Sequence, residues 1–401
     1  MGDHTEPGAA PSQDPPEGRA PAQDGPAQDA PAHEAPEHEA DARAEREAAW
    51  SEDVLGPEFE ARVVSVTGRG EHGSATLIRY RPSPSGPSSS GPSAEQLERG
   101  APAERVAPDD RPARGTVVYV HGWSDYFANP ELAATVDRAG YRFYALDLHG
   151  YGRNLTAAVL DGPDVPGYAE DVGEYREDLD AAVAVIRDDG APAEPEDIVW
   201  IGHSTGGLVL SLAALSADAP PAGLALATPW LAPHVHDALD PLLVAVLRDL
   251  PPRWLRRPLP VRVASHYFRS LSESRDGEWP LDPQWRPERS FPLTGGFLLA
   301  TSQARLRLLE LHRTGAVVEA PVLVQTARRS LIWPWWLKAM RRRDTVLDVR
   351  RTRRRAGALS PAPRVIAYDG ALHDVHRSAR PVREQALDDL RRWLERLPAP
   401  R

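Results

Sequence analysis

The stretch "DIVWIGHSTGGLVLSLAALSA" (197–217) constrains the fold more than any other part of the chain. It opens as an apolar run of strand length and closes as a Leu- and Ala-rich helix. Between the two, Gly202, Ser204 and Gly206 fit the pattern G-x-S-x-G. A strand that becomes a helix over so few residues needs a sharp, strained turn, which lifts the Ser204 hydroxyl clear of a sheet edge. The surrounding chain repeats the alternation. "GTVVYV" (115–120), "YRFYALDL" (141–148) and "AGLALATP" (222–229) read as strands, with helices over "NPELAATVDRAG" and 168–190 between them. A helix near 296–314, strand "PVLVQT", a helix near 345–356, strand "PRVIAYD" (363–369) and a closing helix "REQALDDLRRWLERL" follow. This order predicts an α/β chain with a doubly wound, mostly parallel sheet and helices on both faces.

Three segments break the pattern. Residues 1–49 are rich in Pro, Ala and acidic side chains and hold 12 acids against 3 bases. With no apolar periodicity they cannot offset their ordering entropy, and we expect a disordered tail. The chain total is −11 and the tail is −9, so residues 51–401 carry only −2 (−11 minus −9) and the acidic balance describes the tail. Residues 82–113, rich in Pro, Ser and Gly, read as a flexible insertion in the first part of the core (50–229). Two alternating runs before it, "ARVVSVT" (61–67) and "SATLIRY" (74–80), read as a hairpin. From 230 to 300, prolines, tryptophans and short helical runs replace the alternation, which reads as an inserted cap before the second part of the core (301–401).

The absence of cysteine excludes disulfides, thiolate nucleophiles and thiolate zinc sites. No basic, then apolar, leader is legible near Met1, and the longest weakly charged run (198–216) is broken by Gly, His, Ser and Thr. The expected setting is the cytoplasm.

Two further strand ends carry chemistry. "VVYVHGWSDYF" (117–127) ends a buried strand in His121-Gly122. If Ser204 attacks an acyl carbon, the amides of Trp123 and Thr205 are placed to stabilise the oxyanion. "YDGALHDVH" (368–376) offers His373 as a base for Ser204, with His376 as its competitor. Together, "YVHGWSDYF", "LDLHGYGRN", "GHSTGG", "ATPWL", "GEWPLDPQWRPERSFP", "DTVLDV" and "GALHDV" give the chain its likeness. Over roughly 115–380 it resembles α/β-hydrolases of the monoglyceride lipase and lysophospholipase branch, the serine-aminopeptidase-like "hydrolase 4" group. The resemblance implies a Ser-His-Asp triad, a helical cap and ester or lipid substrates.

The chain departs from that pattern after "PVLVQT", where many relatives carry an Asp and this sequence has Arg328 and Arg329. Only Asp344 and Asp348 lie between Glu319 and Asp369. Asp344 is the favoured acid, expected at the N-cap of the helix near 345–356, with Asp348 one turn inside it. Asp369 and Asp374 are weaker candidates.

We therefore expect a serine hydrolase cleaving carboxylic esters, lipid-like in character, through Ser204, His373 and Asp344, with no metal or organic cofactor. Tyr126, Phe127, Trp230 and Leu231 are the expected apolar lining. Amide hydrolysis, acyl transfer and a catalytically silent binding scaffold are the rival readings. "HVHD" (234–237) lacks the further ligands of a hydrolytic metal site, and Asp147 reads as a loop-fixing residue. Residues 328–355 hold 11 bases against 2 acids, with no module that would read nucleic acid beside them. Within them Pro334 suits a first helical turn, so "PWWLKAMRRR" is expected as a short helix. Tryptophans beside cations in 331–343 suit peripheral contact with a membrane. Deleting residues 1–49 should leave the melting temperature and activity nearly unchanged; thermal denaturation of the truncated chain checks this, and a loss of several degrees would show that the tail docks.

Overall fold

The computed structural model describes residues 49–66, 73–82, 113–160, 165–232, 239–260 and 265–398. The expected tail and insertion, apart from their edge residues, and the "HVHD" stretch lie outside the described residues.

The first strands are β1 (Ser51–Asp53), β2 (Gly56–Ser65) and β3 (Ser74–Tyr80), paired antiparallel. Then follow β4 (Thr116–Val120), β5 (Arg142–Asp147), β6 (Ile198–His203), β7 (Gly223–Ala227), β8 (Val322–Ala327) and β9 (Arg364–Tyr368). Among the described residues they form one sheet of order β1-β2-β3-β5-β4-β6-β7-β8-β9. From β5 to β9 every neighbour is parallel.

Strand β4 shows why this sheet is covered on both sides. Val118 and Val120 belong to one apolar cluster and Val117 and Tyr119 to another, all of them buried. A half-exposed strand alternates apolar with polar; a doubly covered one is apolar throughout, as "TVVYV" is. The helices α1 (Pro130–Arg138) and α8 (Arg380–Leu394) cover the face of Val117 and Tyr119, where Leu132 and Val136 meet Leu387, Leu390 and Leu394. The opposite face is covered by α2 (Tyr175–Asp188) and α3 (Thr205–Leu215), joined by α6 (Gly295–Arg313), through Leu179, Ile186, Leu208 and Leu308. Helices α4 (Leu239–Leu247) and α5 (His266–Leu271) lie between β7 and α6 in sequence, and α7 (Val349–Ala356) lies between β8 and β9.

Three expected helices differ in extent. The helix expected over 168–190 starts at Tyr175, because Asp171 and Glu174 form a reciprocal cap around a preceding 3₁₀ turn, Val172–Glu174. The helix expected from 345 starts at Val349, and Asp348, not Asp344, caps it by accepting from the Arg350 and Arg351 amides at 3.0 and 3.3 Å. The helix expected from Pro334 is only a 3₁₀ turn, Lys338–Arg342. The His266 ring nitrogen meets the carbonyls of Trp333 and Pro334 at 3.1 and 3.3 Å, and Trp336 packs beside His266 at 6.0 Å between ring centres. Those contacts with α5 take the carbonyls a helix would have used.

Candidate active site

Strands β4, β6, β8 and β9 all end at one edge of the sheet, and a loop from each contributes to the site. Ser204 follows β6 with φ 52° and ψ −113°, a left-handed φ that costs a non-glycine residue about 1–3 kcal/mol. Backbone bonds hold it there: the Ser204 amide donates to Ala227 at 3.1 Å, and its carbonyl accepts from Trp230 at 2.9 Å. The strain sits on the serine itself rather than on the glycines around it. Their part is close approach. A Cβ on Gly206 would lie 2.4 Å from the His121 carbonyl and 2.5 Å from that of Val120, so only glycine lets α3 start against β4. Gly122 plays the same part from the other side, since its Cβ would stand 3.0 Å from that of Ser204.

His373 lies on the loop after β9, buried, with Nε2 3.0 Å from Ser204 Oγ. Its Nδ1 is 2.9 Å from Asp344 Oδ2. Asp344 is fully buried, and its other oxygen accepts from the Val346 and Leu347 amides at 2.7 and 2.8 Å. The chain leaves β8 through Arg328 and Arg329, makes its excursion through 331–343, and closes on itself by a parallel bridge between Ser330 and Asp344. The Leu331 amide donates to the Asp344 carbonyl at 2.7 Å and the Asp344 amide to the Arg329 carbonyl at 3.1 Å. Ser330 Oγ donates to Leu347 at 2.6 Å and accepts from the Val349 amide at 3.0 Å, fastening the returning strand. So Asp344, about fifteen residues beyond Arg329, is brought back to the strand end.

The competitors are engaged elsewhere. His376 Nε2 lies 2.8 Å from Gln325 Oε1, Asp348 caps α7, Asp369 pairs with Arg328 at 3.3 Å, and Asp374 binds Arg377 at 2.7 Å. Asp147 accepts from the Phe127 amide at 2.8 Å and from the Arg153 guanidinium at 2.7 Å, the loop-fixing role read from its position.

Thr205 is the first residue of α3, so its amide has no acceptor within the helix. His121 shapes the facing loop: its Nε2 accepts from the Leu148 amide at 3.1 Å, which leaves Nδ1 to donate to the Gly122 carbonyl at 2.7 Å. Of the expected lining, Trp230 joins Trp123 around Phe297, at ring distances of 6.0 and 5.1 Å, with Leu347 beside them. The others point elsewhere. Phe127 is in the core, drawn to the sheet by its bond to Asp147, and packs on Phe143 at 5.2 Å. Leu231 is in the core on the opposite face, and the Tyr126 hydroxyl accepts from the Asp282 amide at 3.0 Å.

Sequence reading passed over the groups packed behind His373. Its ring lies on those of His203 (5.0 Å) and Tyr267 of α5 (5.2 Å, edge-on). Burial pushes the His203 imidazole down to about 3, so it stays neutral, and neither ring nitrogen has a hydrogen-bond partner among the described residues. Burial would raise the Asp125 and Asp374 carboxyls nearby. Positive neighbours outweigh it and hold both below the usual range, Arg286 first for Asp125 and, with the His203 imidazole neutral, the Arg377 guanidinium for Asp374. The adjacency of His203 to Ser204 was the one signal in the sequence.

Comparison with known proteins agrees with this architecture. A model of the Hydrolase_4 family, serine aminopeptidase, S33, matches residues 111–379. Among curated proteins none matches the chain. Of solved structures, a soluble variant of monoglyceride lipase from Saccharomyces cerevisiae, in complex with a substrate analogue, is similar at 13% identity and TM-score 0.53, covering 86% of this chain and 99% of its own. A lipase in an open form is similar at 15% identity and TM-score 0.51, covering 85% and 100%. The monoacylglycerol lipase of Paleococcus ferrophilus shares 20% identity over 72% of this chain and 96% of its own, at TM-score 0.49. At these identities the likeness is one of fold.

Gly206→Ala should cost at least about 2 kcal/mol, because the added methyl meets backbone rather than a movable side chain. Urea denaturation measures it; an unchanged midpoint would mean that α3 does not need its close approach to β4.

Proposed function

The chain belongs to the Hydrolase_4 (serine aminopeptidase, S33) family, and from that premise we propose that it is a serine hydrolase cleaving lipid-like carboxylic esters through Ser204, His373 and Asp344. The observation that carries the proposal is the hydrogen-bonded line from Ser204 Oγ to His373 (3.0 Å) and on to Asp344 (2.9 Å). Both distances are within the reach that proton transfer needs.

In the proposed reaction, Ser204 Oγ attacks the ester carbonyl and His373 Nε2 takes its proton. Asp344 accepts from Nδ1, which fixes the tautomer that leaves Nε2 free as base and steadies the imidazolium that forms. The Val346 and Leu347 amides keep Asp344 turned toward His373. The amides of Trp123 and Thr205 stabilise the oxyanion. His373 then protonates the departing alcohol, and water, activated by the same imidazole, releases the acid. The apolar group of the substrate is assigned to the rings of Trp123, Trp230 and Phe297, and the segment between β7 and α6 is proposed to be a cap above them. Monoacylglycerol and lysophospholipid esters, which join one acyl chain to a polar alcohol, fit such a lining.

Among the described residues no helix is long and apolar enough to cross a membrane. The excursion nevertheless presents apolar rings to solvent. Trp336 packs under the Arg269 guanidinium at 4.5 Å and Met340 is fully buried, but Trp333 and Trp335 are 51% and 68% exposed. Lys338 and Arg341 to Arg343 follow directly. Exposed tryptophans beside cations suit the headgroup level of an anionic lipid surface, and we assign 331–343 that contact.

Ser204→Ala should abolish hydrolysis of p-nitrophenyl esters and labelling by a fluorophosphonate probe while the melting temperature stays near wild type. Asp344→Asn should lower kcat by roughly 10³–10⁴-fold. Asp348→Asn should change kcat little. A Ser204→Ala variant that keeps more than a few per cent of activity sinks the nucleophile, and a reversed ranking of the two aspartates moves the acid. For the surface, co-sedimentation with vesicles should need anionic lipid, weaken in high salt and fail in Trp333→Ala/Trp335→Ala. Equal or absent binding to neutral and anionic vesicles would remove the assignment.

A further inference from the structure

Behind the proposed catalytic base lie four charged side chains from three parts of the chain, each at most 4% exposed: Asp125, Arg286, Asp374 and Arg377. They are linked one to the next. Arg286, from the segment between β7 and α6, meets Asp125 at 3.0 Å and donates to the Ser124 carbonyl at 2.9 Å. Asp125 is bound in turn by the Arg377 guanidinium. Arg377 Nε donates to Asp374 at 2.7 Å, and Asp374 also accepts from the His376 amide at 3.0 Å. The charges sum to zero. The cluster fastens two turns that bear on the reaction. Asp374 adjoins His373 in sequence, and Ser124, at φ 54°, adjoins Trp123. The Phe291 amide adds a bond of 3.0 Å to Ser124 Oγ.

We propose that Asp125, Arg286, Asp374 and Arg377 are positioning residues for the reaction: the quartet sets the Trp123 and His373 turns as one unit, and its paired charges set the local field in which those turns act. The inference rests on the assignment of Ser204 and His373 above. The desolvation cost of four buried charges is offset only if all of them are paired, so a quartet of this kind is poor at adding stability. What it adds is a fixed register among three loops. The groups facing the His373–His203 pair are Ser204, Asp344, Tyr267 and the quartet, with Arg286 over the Tyr267 ring at 4.8 Å and Asp125 3.9 Å from His203. Tyr119 of β4 and His376 lie beside the quartet, and burial keeps both uncharged, raising the phenol and lowering the imidazole.

The sign of the effect follows from the balance. Arg286→Gln leaves one negative charge in excess, which favours a proton on the neighbouring imidazoles. The acid limb of kcat/KM for p-nitrophenyl butyrate should then move to higher pH by about half a unit or more. Asp125→Asn leaves one positive charge in excess, and the limb should move the other way. The double variant restores neutrality and should return the limb to its wild-type position, with kcat still lowered because the fork to Ser124 is weaker. A purely structural cluster would lower activity in all three without moving the limb in opposite directions, and that result overturns the proposal. If a single variant does not fold, Arg286→Lys carries the test: the limb stays in place while kcat falls several-fold at unchanged KM, and an unchanged kcat overturns the proposal. An active Ser204→Ala chain would overturn the parent assignment; an inactive one, with quartet variants whose limbs stand still, overturns this inference alone.

Discussion

The turn at Ser204 is the point from which the site is built. Its left-handed φ is held from both sides, by the Ala227 carbonyl at the end of β7 and by the Trp230 amide beyond it. Both bonds exist only because β6 and β7 run parallel and end level, with His203 opposite Ala227. The same parallel register puts Val120 opposite Gly202, which delivers His121 and Gly122 against the serine. The strain in the turn is thus carried by the most deeply paired strands of the sheet, where the backbone has no room to relax.

Around that turn, polar groups are buried to an extent that makes pairing compulsory. Asp344 spends one oxygen on two backbone amides and has the other left for His373. Asp178 is likewise held, with His149 on both of its oxygens through the backbone amide and Nδ1 at 2.8 Å each. A carboxylate in such a place has few orientations open to it, and this fixity is what a reaction needs from groups that must not reorganise as charge develops.

The fold was legible because its signals are periodic. Strands such as "TVVYV" and "GLALA" are apolar throughout, and the stripe of Leu387, Leu390 and Leu394 repeats with a helical period. That Ser204 and His373 come together was legible because each sits at a strand end near glycines. The N-cap was misassigned for a physical reason: Asp344 and Asp348 both precede amides they can cap, and Asp344 uses Val346 and Leu347 to close a turn while Asp348 opens α7. Phe127 and Leu231 were expected at the site because composition tells which side chains are apolar but not which side of a loop they leave. The quartet was beyond reach altogether. Asp125 and Arg377 stand 252 positions apart, and no local pattern joins them.

The pinned neck at Ser330 and Asp344 makes whatever lies between them an exchangeable cassette. With the ends tied by backbone bonds and by the Ser330 hydroxyl, the neck itself holds Asp344 in place. Doubling a flexible loop adds only about 0.6 kcal/mol of closure entropy. Length in the exposed part of this span therefore costs the neck little, while Met340 and Trp336 tie the rest to α5. The span that fills this place is tryptophan-rich and arginine-rich, and the neck that holds it asks nothing of that composition.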